Sequence, residues 1–171
     1  ATMSTYINAL KNFGITGPEN VEYVGGNAKM NEFQAAMGLC NLRNLEKEIN
    51  SRKIVFERYV EQLSYIEGIK LSPSSKNIKS NYAYLPILID NISLSRDEVY
   101  HLLLKENIHT RKYFYPLTNE LTYYKEKTNL NCTPVAQKVS GKILTLPIYA
   151  DLHLDDVDRI CEILKTKLVL S

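Results

Sequence analysis

The stretch Gly25-Gly26-Asn27-Ala28-Lys29-Met30-Asn31-Glu32-Phe33-Gln34-Ala35-Ala36-Met37-Gly38-Leu39 constrains the fold more than any other part of the chain. Two successive glycines permit positive φ and close backbone approach. Asn31 with Gln34 three residues on is a variant of the capping box, so a long helix is predicted to start near Asn31. Met30, Phe33, Met37 and Cys40 recur every three or four residues, and Leu42, Leu45 and Ile49 form a second row. That is the period of one buried helical face. Phe56, Val60 and Leu63 prolong it to about Tyr65, with Glu46-Lys47-Glu48 and Arg52-Lys53 in solvent. Ala35, Ala36 and Gly38 leave the surface small enough for another backbone to come close. The neighbour is either the chain's own core, as in an ordinary amphipathic helix, or another subunit.

Ahead of this helix, Met3 to Asn12 puts Tyr6, Ile7 and Leu10 on one side of a short helix, which Phe13-Gly14-Ile15-Thr16-Gly17-Pro18 ends. A free-standing domain seldom opens on a lone helix and a loop, so more chain is expected before Ala1. After the long helix, Gly68, Pro73, Ser74 and Ser75 mark a loop. Asn81 to Asp90 is rich in aromatic and branched residues and reads as a strand, with Pro86 placing it at an edge or a bulge. Ser95-Arg96-Asp97-Glu98 is a capping box for a helix running to Glu106. Ile108 to Pro116 alternates as a second strand, and Thr118 to Lys125 is a short helix with Leu121 and Tyr124 inward. Thr133-Pro134 starts a further helix that ends near Gly141. Ile143 to Pro147 is a strand, and Asp151 to Leu168 closes the chain as a helix with Leu154, Val157, Ile160, Ile163 and Leu164 at helical spacing. The class implied is α/β of the α+β type: a long helix leading into a small C-terminal domain, whose short, mostly antiparallel sheet carries helices on one face. The expected division is residues 1–26, then 27–66 for the linking helix, then 67–171 for the small domain.

At 171 residues, with 44% hydrophobic and 23% charged residues, the chain can bury a core and is not disordered. No apolar run approaches the ~20 residues of a membrane span, and no export signal opens it. A soluble, cytoplasmic protein without membrane partners is expected. A net charge of +2 with interspersed signs argues against a nucleic-acid surface. Cys40, Cys132 and Cys161 are far apart, and His101, His109 and His153 lack ligand spacing, so reduced thiols and no metal are expected. No Ser/His/Asp arrangement, phosphate-binding glycine loop or HExxH occurs.

Two places could carry chemistry. At the turn, Asn27 and Lys29 meet the orphan N–H groups of a helix start, which suits a phosphate or other anion; the alternative is a turn asparagine and a solvated lysine. In Thr110-Arg111-Lys112-Tyr113-Phe114-Tyr115-Pro116, strand alternation sends Arg111, Tyr113 and Tyr115 to one face. A bidentate anion binder beside hydroxyl-bearing rings suits a phosphorylated, hydroxyl-rich ligand; the alternative is a set of rings that roofs the helices.

Three segments resemble the DegT/DnrJ/EryC1/StrS family of pyridoxal-phosphate-dependent sugar aminotransferases. Gly26 to Leu39 is similar to the family's Gly-Asn-x-Arg/Lys-Met…Gln-Ala-Ala helix start, and Thr110 to Leu117 to its aromatic-proline strand. Pro134-Val135-Ala136, Leu144-Thr145-Leu146-Pro147-Ile148-Tyr149 and Asp156-Val157-Asp158-Arg159-Ile160 resemble its closing segments. The resemblance implies the small domain of a fold-type I aminotransferase, with 1–26 a remnant of the large cofactor domain. It implies transfer of an amino group, typically from glutamate, to a nucleotide-linked ketosugar in amino-sugar biosynthesis, by a homodimer with shared active sites. The cofactor-bearing lysine would belong to the large domain, so no catalytic residue is expected here and the stretch alone would be inactive. Asn27 would reach the cofactor phosphate across the dimer and Lys29 would sit near cofactor or substrate anions. Arg111, Tyr113 and Tyr115 would border the sugar nucleotide. Lysine stands where the family often has arginine, which loses the bidentate fork. A sugar dehydratase of the same family, with histidine for the lysine, and a non-catalytic ligand-binding or dimerisation module are the alternatives.

Overall fold

In the computed structural model, which describes residues 2–72, 77–90, 93–129 and 132–169, the first helix is α1 (Met3–Leu10), with Thr2 Oγ1 accepting from Thr5 N at its start. Pro73, Ser74 and Ser75 of the expected loop lie outside the described residues. The chain divides into two compact units, residues 1–45 and 46–171. In the first, α1 buries only Ala9, and Tyr6 and Ile7 of its expected inner side are exposed. Phe13 and Gly14 then take positive φ, 59° and 79°. The next residues, read from sequence as loop, form an antiparallel hairpin of β1 (Ile15–Gly17) and β2 (Asn20–Val21). Strands this short, split by Gly17-Pro18, show no alternation to read.

The turn after the hairpin differs from expectation in one respect. Neither Gly25 nor Gly26 is among the positive-φ glycines. Gly25 is needed for closeness: a Cβ there would lie 2.3 Å from Gly14 N and 2.5 Å from Leu10 O, whereas one on Gly26 would meet nothing. The strand-like run of bonds Gly26 N→Leu10 O (2.9 Å), Phe13 N→Gly26 O (3.1 Å) and Ala28 N→Lys11 O (3.0 Å) uses that proximity to lay 26–28 along 10–13.

α2 (Glu32–Leu63) follows, its 32 residues spanning about 48 Å at the usual helical rise. Its predicted cap is present in both directions, Gln34 N→Asn31 Oδ1 at 2.9 Å and Asn31 N→Gln34 Oε1 at 3.0 Å. The predicted buried face is not: Met30, Phe33, Met37, Leu42 and Leu45 are all exposed, Phe33 at 88%. Helical period marks an apolar stripe but not what covers it. Only the last turns are buried, through Val55, Tyr59 and Leu63 at four-residue spacing, with Phe56 packed beside them.

In the second unit, β3 (Ile69–Leu71), β4 (Leu85–Ile89) and β5 (Ile143–Leu146) make an antiparallel sheet in that order. β4 is therefore central, not an edge. Pro86 is tolerated because β3 pairs only Ile87 to Ile89, and because its partner on the other side, Thr145, turns its N–H and C=O outward to Arg111. The Pro86–Thr145 pair thus needs no N–H from proline. α3 (Arg96–Lys105) has the predicted capping box of Ser95 and Glu98. A 3₁₀ turn at Thr118–Glu120 and the single-turn α4 (Thr122–Lys125) replace the predicted 118–125 helix, and Leu121 and Tyr124 are exposed. These residues have no long helical face to turn inward. α5 (Pro134–Ser140) follows its predicted range, and α6 (Leu154–Val169) starts three residues later than the expected Asp151.

The core joins the inner face of β4 (Leu85, Ile87, Ile89) to Leu144 and Leu146 of β5, Val99 and Leu103 of α3, and Val157, Ile160 and Leu164 of α6. Each such fully buried aliphatic side chain contributes ~1.5–3 kcal/mol by leaving water. Arg58 of α2 clasps Asp158 of α6 with two parallel bonds of 2.8 Å, Nε to Oδ1 and Nη2 to Oδ2.

Candidate functional site

Asn27 and Lys29 belong to the first unit, and Arg111, Tyr113 and Tyr115 to the second. The backbone of Asn27 pairs with that of Asn12, while its side chain makes no hydrogen bond among the described residues. Lys29 Nζ donates to Asn12 Oδ1 at 3.1 Å and lies 5.4 Å from the centre of the Phe13 ring. No carboxylate pairs with it among the described residues, and two of its three N–H bonds remain for a ligand. Ala28, Lys29, Met30 and Gln34 line an open depression at the start of α2. A cation, a carboxamide and the first-turn amides of a helix there suit a phosphate group.

Ile108 to Pro116 was expected to form one strand, and it does not. Only Arg111 bridges to the sheet, with Arg111 N→Thr145 O at 3.2 Å, Thr145 N→Arg111 O at 2.9 Å and Thr145 Oγ1→Arg111 O at 3.1 Å. The chain then turns, with Phe114 at φ 46° and a cis Tyr115–Pro116 bond. Alternation therefore does not put Arg111, Tyr113 and Tyr115 on one face. The Arg111 side chain is exposed and no carboxylate reaches it among the described residues. Tyr113 lies in a row of rings, 5.3 Å from Tyr84 and 4.2 Å from Phe114. Tyr115 sits instead over Arg96, whose Cζ is 4.5 Å from the ring centre, with Lys112 Nζ at 5.7 Å.

Arg96 and Lys112 were not among the residues expected to matter. Arg96 stood in the sequence as a capping-box filler, and Lys112 had the opposite parity in a presumed strand. Arg96 is only 3% exposed. Its Nη1 donates to Ser140 O at 2.9 Å and Ile143 O at 3.4 Å, and its Nε donates to Asp97 Oδ1 at 2.7 Å. The same Oδ1 accepts from Lys112 Nζ at 2.7 Å, and this ammonium lies 4.9 Å from the Tyr100 ring centre. The Lys112 hydrogen bond and the Arg96 charge hold the Asp97 carboxyl below the usual carboxylate range, overcoming the opposing effect of desolvation.

A small antiparallel sheet backed by helices, entered through a capped long helix with an anion-suited turn, is the architecture of an aminotransferase small domain, and comparison with known proteins agrees. Residues 2–165 match the DegT/DnrJ/EryC1/StrS aminotransferase family, and the chain belongs to it. It is 42% identical over 165 residues to an Escherichia coli dTDP-4-amino-4,6-dideoxy-D-glucose transaminase, an overlap that takes in 95% of this chain and 44% of that protein. The chain thus spans less than half the length of this curated relative. Among solved structures, DesI in the presence of its TDP-sugar product superposes with a TM-score of 0.80 at 31% identity, covering 93% of this chain and 41% of that one. The PLP form of Spr1654 from Streptococcus pneumoniae shares the fold with a TM-score of 0.81 at 23% identity, over 93% and 41% of the two chains.

Proposed function

We propose that this chain is the C-terminal part of an aminotransferase that moves an amino group from an amino acid, typically glutamate, onto a nucleotide-linked ketosugar, with pyridoxal phosphate as cofactor. The observation that carries this reading is the turn at Asn27 and Lys29: in a chain of this family, a carboxamide without a hydrogen bond and an ammonium without a carboxylate, among the described residues, precede the capped start of α2. Those groups fit the phosphate of the cofactor. When bound, the cofactor supplies the electron sink for amino transfer; the residues here bind and orient. Asn27 donates one charge-assisted hydrogen bond, Lys29 neutralises phosphate or substrate charge, and Arg111 with Tyr113 and Tyr115 lines the sugar-nucleotide side. The E. coli relative's name supports a dTDP-linked amino sugar as the substrate class. In this reading residues 1–26 belong to a larger cofactor domain, 27–66 link it to the small domain of 67–171, and the whole enzyme is a cytoplasmic homodimer. The lysine that holds the cofactor lies outside this stretch, so the stretch alone is inactive.

The test uses the full-length protein. Asn27→Ala removes a hydrogen bond to a charged group, worth about 1.5–3 kcal/mol, and is expected to weaken cofactor binding roughly ten- to a hundredfold with the fold retained. Tyr115→Phe is expected to leave cofactor affinity alone and to raise KM for the sugar nucleotide. Cofactor titration and steady-state kinetics decide. An Asn27→Ala protein that binds cofactor as the parent does, but melts several degrees lower, makes Asn27 a turn residue only.

A further inference from the structure

We propose that Arg96, buried beneath the 111–116 loop, is a positioning residue that sets the ring of Tyr115, and that Arg96 and Asp97 together tune sugar-nucleotide affinity without touching the ligand. The inference rests on the reading above that this loop borders the sugar nucleotide.

Three bonds in the guanidinium plane fix the orientation of Arg96: Nη1 to the carbonyls of Ser140 and Ile143, and Nε to Asp97. Those partners lie at the end of α5, the start of β5 and the first turn of α3. A guanidinium so held presents one fixed face, and that face lies 4.5 Å from the Tyr115 ring centre. A structural tie between α3 and β5 would need the in-plane bonds alone; the stacked ring uses the remaining surface. Tyr115 is 47% exposed and follows a residue at positive φ; Arg96 is the nearer of the two cations over its ring, with Lys112 Nζ at 5.7 Å. Lys112 supplies a second tether, its Nζ on the Asp97 oxygen that Arg96 also uses. One dipeptide, Arg96-Asp97, therefore holds the loop through both a ring and an ammonium. Holding the ring before ligand arrives lowers the ordering cost of binding, and buried, planar arginine is suited to this where lysine is not.

The experiment takes the full-length holoenzyme and titrates it with dTDP-4-amino-4,6-dideoxy-D-glucose, following Kd for the sugar nucleotide alone and KM and kcat with a saturating 2-oxo acid as amino acceptor. Loss of a desolvated cation–π platform in Arg96→Lys should raise Kd and KM by about tenfold, with kcat and cofactor content unchanged. In a Tyr115→Ala background the same substitution should add nothing, because the ring through which Arg96 acts is gone. Lys112→Met, which leaves the buried guanidinium alone, should raise Kd several-fold and serves as the readout if Arg96→Lys does not fold. Equal effects of Arg96→Lys with and without the Tyr115 ring, or an unchanged Kd in Lys112→Met, would overturn the inference and leave a structural tie. Unchanged Kd in Tyr115→Ala would overturn it too, since the loop would then border no ligand. A parent protein that takes up cofactor but ignores the sugar nucleotide would instead fail the proposed substrate class, and this inference with it.

Discussion

Tyr59 is completely buried, and its hydroxyl has no hydrogen-bond partner among the described residues. A hydroxyl taken out of water without a partner costs stability, so Tyr59→Phe is expected to raise stability at neutral pH by up to about 1 kcal/mol, or roughly 2–4 °C in Tm. Burial also pushes the phenol well above its ordinary pKa of 10.0. The unfolded chain would release that proton near pH 10 while the folded chain keeps it, so the parent loses stability as pH rises past 10 and the Phe variant does not. The Tm gap should therefore widen between pH 9 and 11. The buried Cys161 thiol, raised from 9.0 to about 12, is common to both proteins and weakens both above pH 9. A lower Tm for Tyr59→Phe at pH 7 would mean that the hydroxyl is paired after all. At the same scale, the place of Asn27 and Lys29 just ahead of a capped helix start was legible in the sequence, because glycines before a capping box are a local pattern. Arg96 and Lys112 were not, because their partners Tyr115 and Asp97 are set by how a turn folds back on α3, which no residue spacing records.

Elements show the same division between local and distant causes. Helix starts were legible where the cap is covalently near, as in Asn31 with Gln34 and Ser95 with Glu98. The 111–116 segment was misread because its aromatic alternation mimics a strand, while its single backbone bridge to Thr145 is a long-range event. The place of β4 at the centre of the sheet likewise depends on β3 and β5, not on Pro86. The pairing of α2 with α6 through Arg58 and Asp158 is another such contact, and it has a measurable pH signature. Two hydrogen bonds from Arg58, assisted by one from Gln62, hold the Asp158 carboxyl below its ordinary 3.8. A depressed folded pKa contributes stability above 3.8 that is lost as pH falls through the folded value. Asp158→Asn is expected to lower Tm at pH 7, and the deficit should shrink as pH drops below 3.8. Asp90, held at about 2 by Lys142 and Lys70, gives the parent and the variant the same acid-side loss and does not blur the comparison. A deficit that persists undiminished in acid would assign the effect to packing and not to charge.

The whole molecule is uneven in how it is stabilised. The second unit holds the apolar core, whereas Ala9 is the one buried hydrophobic residue that the first unit contributes among the described residues. The first unit also carries the exposed Met30, just before α2, and the exposed Phe33, Met37, Leu39 and Leu42 along its early turns. A helical stretch with no packed face is marginal in water, and a run of exposed large apolar side chains gains by leaving water against another surface. The 171-residue chain on its own is therefore expected to self-associate, with α2 as the contact. Light scattering across a concentration series should show mass rising above that of one chain. Phe33→Glu with Met37→Glu should return it toward the monomer, since two like charges in that stripe cannot be buried against a second copy without partners. The thermal transition of the second unit should be unmoved by this double change, because Val55, Tyr59 and Leu63, which anchor α2 in the core, lie well beyond the substituted turns. A parent chain that stays monomeric at every concentration, or a double variant that associates as strongly as the parent, would show that the exposed stripe is not what drives assembly.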